Sequence, residues 1–107
     1  MRLIGMLDSP YVRRVAISMK LMGIEFTGEQ ISLFRNFDEF RAINPVVKAP
    51  TLVTGDGVVL MDSTLILEYL ERLAGPARSL MPAGANEHVE ALRVIGLQLA
   101  AYEKSVQ

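Results

Sequence analysis

The chain has 107 residues, 50% of them hydrophobic, enough for one packed domain or for one domain plus a fragment of a second, and not the composition of a disordered segment. With 11 basic against 12 acidic residues spread along the chain, the net charge is −1, and no basic cluster provides an electrostatic footprint for nucleic acid or anionic lipid. Cysteine is absent, which excludes a disulfide framework, a thiolate zinc site and a dithiol redox pair; sulfur chemistry would need a thiol brought from outside.

The N-terminal MRLIGML carries one charge and an apolar run too short for a signal peptide, and no run approaches about eighteen apolar residues, so the expectation is a cytoplasmic chain without a membrane span. Arg2 to Leu7 reads as a buried strand that ends at Asp8-Ser9-Pro10 and feeds a helix. Ser9 supplies a capping hydroxyl, and Pro10 occupies the first helical position, where no N–H is missed. Val12, Val15, Ala16, Met19 and Met22 form one apolar stripe on that helix, and Gly23 stops it. Arg13, Arg14 and Lys20 fall on the other side, as a solvated face or with one arginine at the rim of a site or at a dimer seam.

Glu25 to Leu33 alternates loosely around Phe26, Ile31 and Leu33 as a second strand interrupted by Gly28. Asn36 to Asn44 is a short helix with Phe37, Phe40 and Ile43 inward, closed by Asn44-Pro45. Thr51 to Thr54 and Val58 to Met61 are β-rich runs joined by Gly55-Asp56-Gly57, an antiparallel hairpin. Asp62-Ser63-Thr64 opens a helix that runs to about Ala74, with Leu65, Ile66, Tyr69, Leu70 and Leu73 inward and Gly75-Pro76 ending it. The order βαβαββα predicts an α/β domain with a four-stranded mixed sheet covered by helices.

Gly75 to Asn86 is rich in Gly, Pro and Ala and reads as a linker. Glu87 to about Val106 is a long helix with Val89, Leu92, Ile95, Gly96, Leu99 and Tyr102 along one stripe, and a stripe of that length needs a partner. The expected organisation is a domain over 1–78, a linker over 79–86, and over 87–107 the first helix of an all-helical domain otherwise missing from the chain. His88, the only histidine, has no histidine or cysteine partner, so neither a metal site nor a histidine-based triad is expected, and a surface position is.

Three motifs stand in order: Ser9-Pro10-Tyr11 after the first strand, Asn44-Pro45-Val46-Val47-Lys48-Ala49-Pro50 before the third, and Asp62-Ser63 after the fourth. With the element order, they make the chain resemble the N-terminal thioredoxin-like domain of cytosolic glutathione S-transferases of a bacterial serine type. The rest resembles that family's linker and the first helix of its C-terminal domain. Thioredoxin-like glutaredoxins carry Cys-Pro-Tyr-Cys at the first turn; here the same positions read Ser9-Pro10-Tyr11-Val12, so dithiol exchange on the protein is lost.

The resemblance implies a role for each motif. Ser9 would be the catalytic hydroxyl, donating to the sulfur of bound glutathione at a helix N-terminus that favours the thiolate. A free thiol has a pKa of roughly 8.5, and a charge-assisted hydrogen bond of about 1.5–3 kcal/mol would lower it by roughly one to two units. Tyr11 is the competing hydroxyl, or a ring lining the pocket. Asn44 to Pro50 resembles the family's Asn-Pro-x-x-Lys-Val-Pro segment, in which the last proline follows a cis bond and the residue before it pairs its backbone with the cysteinyl part of glutathione. Ala49 would make those bonds, and Lys48 would reach the glycyl carboxylate. Ser63 would bind the γ-glutamyl carboxylate at a helix start and Asp62 would face the ammonium, one methylene shorter than the family's usual Glu or Gln.

The implied activity is that of a glutathione transferase, with glutathione as co-substrate, a small electrophile, no metal, no nucleic acid and a homodimer in the full-length protein. The alternatives are a non-catalytic binding or regulatory protein of the same fold and a glutathione-dependent peroxidase.

Overall fold

The computed structural model describes residues 1–105. Its elements are β1 (Arg2–Ile4), α1 (Pro10–Met22), β2 (Thr27–Glu29), α2 (Phe37–Ile43), β3 (Thr51–Val53), β4 (Val59–Met61), α3 (Ser63–Ala74) and α4 (Ala85–Ser105). The strands form one mixed sheet in the order β2-β1-β3-β4, with β1 parallel to β2 and antiparallel to β3, and β3 antiparallel to β4. This is the thioredoxin-like arrangement the motifs imply.

Side chains alternate across a strand, and β1 shows how two layers are built on it. Leu3 joins Val12, Val15, Ala16, Met19 and Met22 of α1, Leu52 of β3, and Ile66 and Leu70 of α3 in one buried cluster. Its neighbour Ile4 points to the opposite face, against Ile31 and Phe40. The sheet therefore lies between α1 with α3 on one side and α2 on the other.

The stripe predicted for α1 is the set of residues that α1 buries. Ser9 Oγ accepts from Val12 N at 3.4 Å, and Gly23 closes the helix in the left-handed region at φ 71°. Close approach explains Gly5: a Cβ there would stand 2.7 Å from Val12 Cγ2, at a φ of +145° that side chains rarely adopt.

Elsewhere the expected faces need correction. Phe37 is 47% exposed, because α2 is only two turns long and Phe40, with Ile31 and the half-buried Ile43, covers Ile4. On α3, Ile66 and Leu70 are buried but Leu65 and Leu73 are 58% and 52% exposed, since the sheet and α1 cover one narrow side of the helix. The second strand is Thr27–Glu29 alone, not Glu25 to Leu33: it is an edge strand, and past Glu29 the chain turns so that Ile31 enters the core from a loop.

The last helix starts at Ala85 rather than Glu87, and its expected end at Val106 lies outside the described residues. No residue of α4 is fully buried. Of the predicted stripe, Ile95, Leu99 and Tyr102 are half-buried while Val89, Leu92 and Gly96 are exposed. His88 is half-buried in the first turn rather than on the open surface. Among the described residues no helix is long and apolar enough to cross a membrane.

Candidate functional site

A cleft of about 320 Å³ opens where the N-terminal end of α1, the segment before β3, the start of α3 and the last turns of α4 meet. Tyr11, Lys48, Ala49, Pro50, Asp62 and Ser63, six of the seven residues predicted for the site, line it. Ser9 caps α1 behind Tyr11 and is outside that lining. A larger groove of about 770 Å³ runs along α1 and β2 past Leu7, Ala16 and Phe26, with Lys20 and Glu25 as its charged groups. It holds none of the predicted site residues, so the chemistry is assigned to the smaller cleft.

The wall before β3 is held from below by a polar network. Asn44 is buried; its Nδ2 donates to Thr51 Oγ1 at 3.0 Å, and its Oδ1 accepts from Val46 N at 3.1 Å. Thr51 Oγ1 in turn donates to Lys48 O at 2.6 Å. These bonds tie both ends of the Val46–Pro50 turn to β3, within which Val47 takes a left-handed φ of 55° and the Ala49-Pro50 peptide is cis. Buried side-chain amides that satisfy their bonds in this way fix a single backbone path. Lys48 is exposed at the mouth, and Ala49 lies half-buried beside Pro50.

The opposite wall is the N-terminus of α3. Asp62 is its cap: Oδ1 accepts from Thr64 N at 2.9 Å and from Leu65 N at 3.4 Å, with the backbone at φ 76°. Ser63, the next residue, is buried at 6% exposure and lines the cleft. The Ser63 N–H at a helix start, its hydroxyl and the second oxygen of the Asp62 carboxylate thus stand within two residues, donors for an anion next to an acceptor for a cation.

Two further groups were not anticipated. Leu99 and Glu103 of α4 close the cleft on its outer side, and α4 is held there by Tyr102, whose ring meets Tyr11 edge-on with centroids 5.7 Å apart and planes at 85°. Their spacing of four along a helix was visible in the sequence, but nothing local says which element they face. Of Arg13 and Arg14, which the sequence left as a solvated face or with one of them at the rim of a site, Arg14 turns inward: its Nη1 donates to Ser63 Oγ at 3.0 Å and to Thr64 Oγ1 at 3.2 Å. Burial lowers its pKa, an effect opposed by Tyr102, Asp62 and Tyr11.

Comparison with known proteins gives the family. The family model for the glutathione S-transferase N-terminal domain matches residues 3–78. The uncharacterized GST-like protein YibF of Escherichia coli K12 is 33% identical over 101 residues, which are 94% of this chain and 48% of that protein. A maleyl pyruvate isomerase described as a zeta-class bacterial glutathione S-transferase superposes with a TM-score of 0.72 at 29% identity, over 84% of this chain and 43% of that one. A glutathione S-transferase from Methylobacillus flagellatus KT, solved with glutathione bound, gives a TM-score of 0.72 at 28% identity, over 86% of this chain and 45% of that one. The chain spans less than half the length of each of these relatives.

Proposed function

The chain belongs to the glutathione S-transferase family, and from that premise we propose that its cleft binds glutathione and that Ser9 stabilises the bound thiolate for attack on an electrophile, in the manner of the serine-type transferases. The observation that carries this reading is the convergence of Lys48, Ala49, Pro50, Asp62 and Ser63, drawn from separate segments, on one cleft.

Each part of a tripeptide thiol has a counterpart there. The γ-glutamyl carboxylate meets the Ser63 hydroxyl and the N-terminus of α3, while its ammonium meets the Asp62 carboxylate through Oδ2, since Oδ1 is engaged by two amides. The cysteinyl backbone pairs with the N–H and C=O of Ala49, and Lys48 at the mouth takes the glycyl carboxylate. Ser9 Oγ uses a lone pair on Val12 N, so its own O–H remains to donate to sulfur. The thiol proton leaves to solvent, a carbon–sulfur bond forms, and the electrophile's leaving group departs with the electron pair.

The wider assignment follows the family. Residues 1–78 act as the glutathione-binding domain and 79–84 as linker, and the helix from Ala85 begins a helical domain that supplies the electrophile's pocket. The full-length protein is a cytoplasmic homodimer.

One observation favours a second reading of the hydroxyl: Tyr11 lines the cleft and Ser9 does not. Glutathione titration followed by calorimetry and by ultraviolet thiolate absorbance separates the two. With Ser9→Ala, binding is retained and the thiol pKa rises by roughly one to two units, back toward its free value. The same loss with Tyr11→Phe and not with Ser9→Ala would transfer the role to Tyr11. No binding at millimolar glutathione would leave the non-catalytic alternative standing.

A further inference from the structure

Arg14 is the only side chain of α1 for which a hydrogen bond to α3 is described, and it goes to the residue at the heart of the proposed carboxylate subsite. Among the described residues the ion pairs are Arg2–Glu29 and Arg93–Glu90, so the half-buried Arg14 guanidinium has hydroxyls for partners where a carboxylate would be expected. A guanidinium only donates. When Ser63 Oγ accepts from it at 3.0 Å, one lone pair of that oxygen is committed, and the Ser63 O–H is left to donate away from the Arg14 guanidinium, on a residue that lines the cleft. The Thr64 hydroxyl is constrained in the same way at 3.2 Å.

We propose that Arg14 is a positioning residue for the carboxylate subsite: by occupying the back of Ser63 Oγ it aims the Ser63 O–H into the cleft, toward the α-carboxylate of an amino-acid head group. The inference rests on the reading that this cleft takes glutathione. Arg14 does not touch the ligand; it acts through Ser63. A lysine in its place keeps the charge but offers a point donor instead of a planar fork, and holds the hydroxyl less firmly.

The test uses the full chain and two ligands: glutathione, and the analogue in which 4-aminobutyrate replaces the γ-glutamyl residue, which keeps the amine and lacks the α-carboxylate. Calorimetric dissociation constants are compared for the unaltered chain, Arg14→Met, Arg14→Lys, Ser63→Ala and the Arg14→Met/Ser63→Ala pair, with thermal melts to follow folding. Arg14→Met weakens glutathione by roughly ten- to a hundredfold, the scale of one hydrogen bond to a charged group, and leaves the analogue within about twofold. Arg14→Lys recovers part of the loss, and the double variant binds little more weakly than Ser63→Ala alone, because the two act as one unit.

Equal weakening for both ligands would mean that Arg14 only holds α1 to α3, and would overturn the proposal; so would additive losses in the double variant. If Arg14→Met does not fold, Arg14→Lys carries the same comparison of ligands, with a selective loss in support and an equal or absent loss against. Binding of glutathione to the unaltered chain with no change in any Arg14 variant overturns the positioning role alone. Failure of the unaltered chain to bind overturns both this inference and the reading beneath it.

Discussion

The helices α1 and α4 are both amphipathic, yet they are used differently. Across 13 residues α1 buries Val12, Val15, Ala16, Met19 and Met22, whereas α4 has 21 residues and buries none. Amphipathicity sets which face a helix offers, and burial depends on what the rest of the chain places against it. Against α1 the fold sets a sheet and α3; against α4 it sets one edge of a cleft, met through Leu99, Tyr102 and Glu103. Stability should therefore be concentrated in the sheet and its covering helices, while α4 contributes shape to the site at little cost if it is disturbed.

The contrast fails most visibly if core truncations in the two helices cost the same. Met19→Ala removes a fully buried side chain from the α1 face and is expected to cost about 2–5 kcal/mol in denaturant unfolding. Leu97→Ala, at a side chain 61% exposed on α4, is expected to stay within about 0.5 kcal/mol. Losses of similar size would show that α4 is part of the cooperative core.

Tyr102→Ala sharpens the same point at the one aromatic contact α4 makes. The edge-to-face pair with Tyr11 is expected to be worth about 0.5–1.5 kcal/mol, and its loss should appear as faster amide hydrogen exchange confined to α4, with the sheet unchanged. Faster exchange spread over β1 and β3 would contradict that separation.

A smaller effect belongs to the sheet edge. Arg2 Nη2 donates to Glu29 Oε1 at 2.9 Å across the β1–β2 pairing, and that bond holds the Glu29 carboxyl below its ordinary value. The pair's contribution is thus present above the unfolded carboxyl pKa of about 4.3 and is lost as pH falls through the lower folded value. Both groups are solvated, so the total is at most about 1 kcal/mol and shrinks with added salt. Glu29→Gln should flatten stability against pH below about 4.3 relative to the unaltered chain, and unchanged curvature would assign the acid dependence to other carboxylates.

How much could be read in advance follows the same division. Local grammar sufficed wherever neighbours in sequence determine the outcome: the Ser9 cap, the α1 stripe and its Gly23 stop, the turn between β3 and β4, the Asp62 cap. The motifs at Lys48–Pro50 and Asp62–Ser63 were legible because each is contiguous, and both line the one cleft. What could not be read depends on distant partners. Leu65 and Leu73 continue a helical period that α3 does not use, because periodicity cannot say how wide a face its neighbours cover. Arg13 and Arg14 looked alike, and which of them turns inward depends on a hydroxyl 49 positions after Arg14. Glu103 reaches the cleft only because Tyr102 docks on Tyr11.

The cleft's walls come from Tyr11, Ala49, Ser63 and Leu99, so no short contiguous fragment of the chain contains it. It exists only once the sheet, α1, α3 and α4 have assembled, and an unfolded chain has nothing equivalent to offer a ligand. Any small molecule that fits it is then linked to the folding equilibrium: at a concentration a hundred times its dissociation constant it would add about 2.7 kcal/mol to the stability of the whole assembly. A thermal shift on ligand addition would report on β1 and α4 alike, elements that share little else.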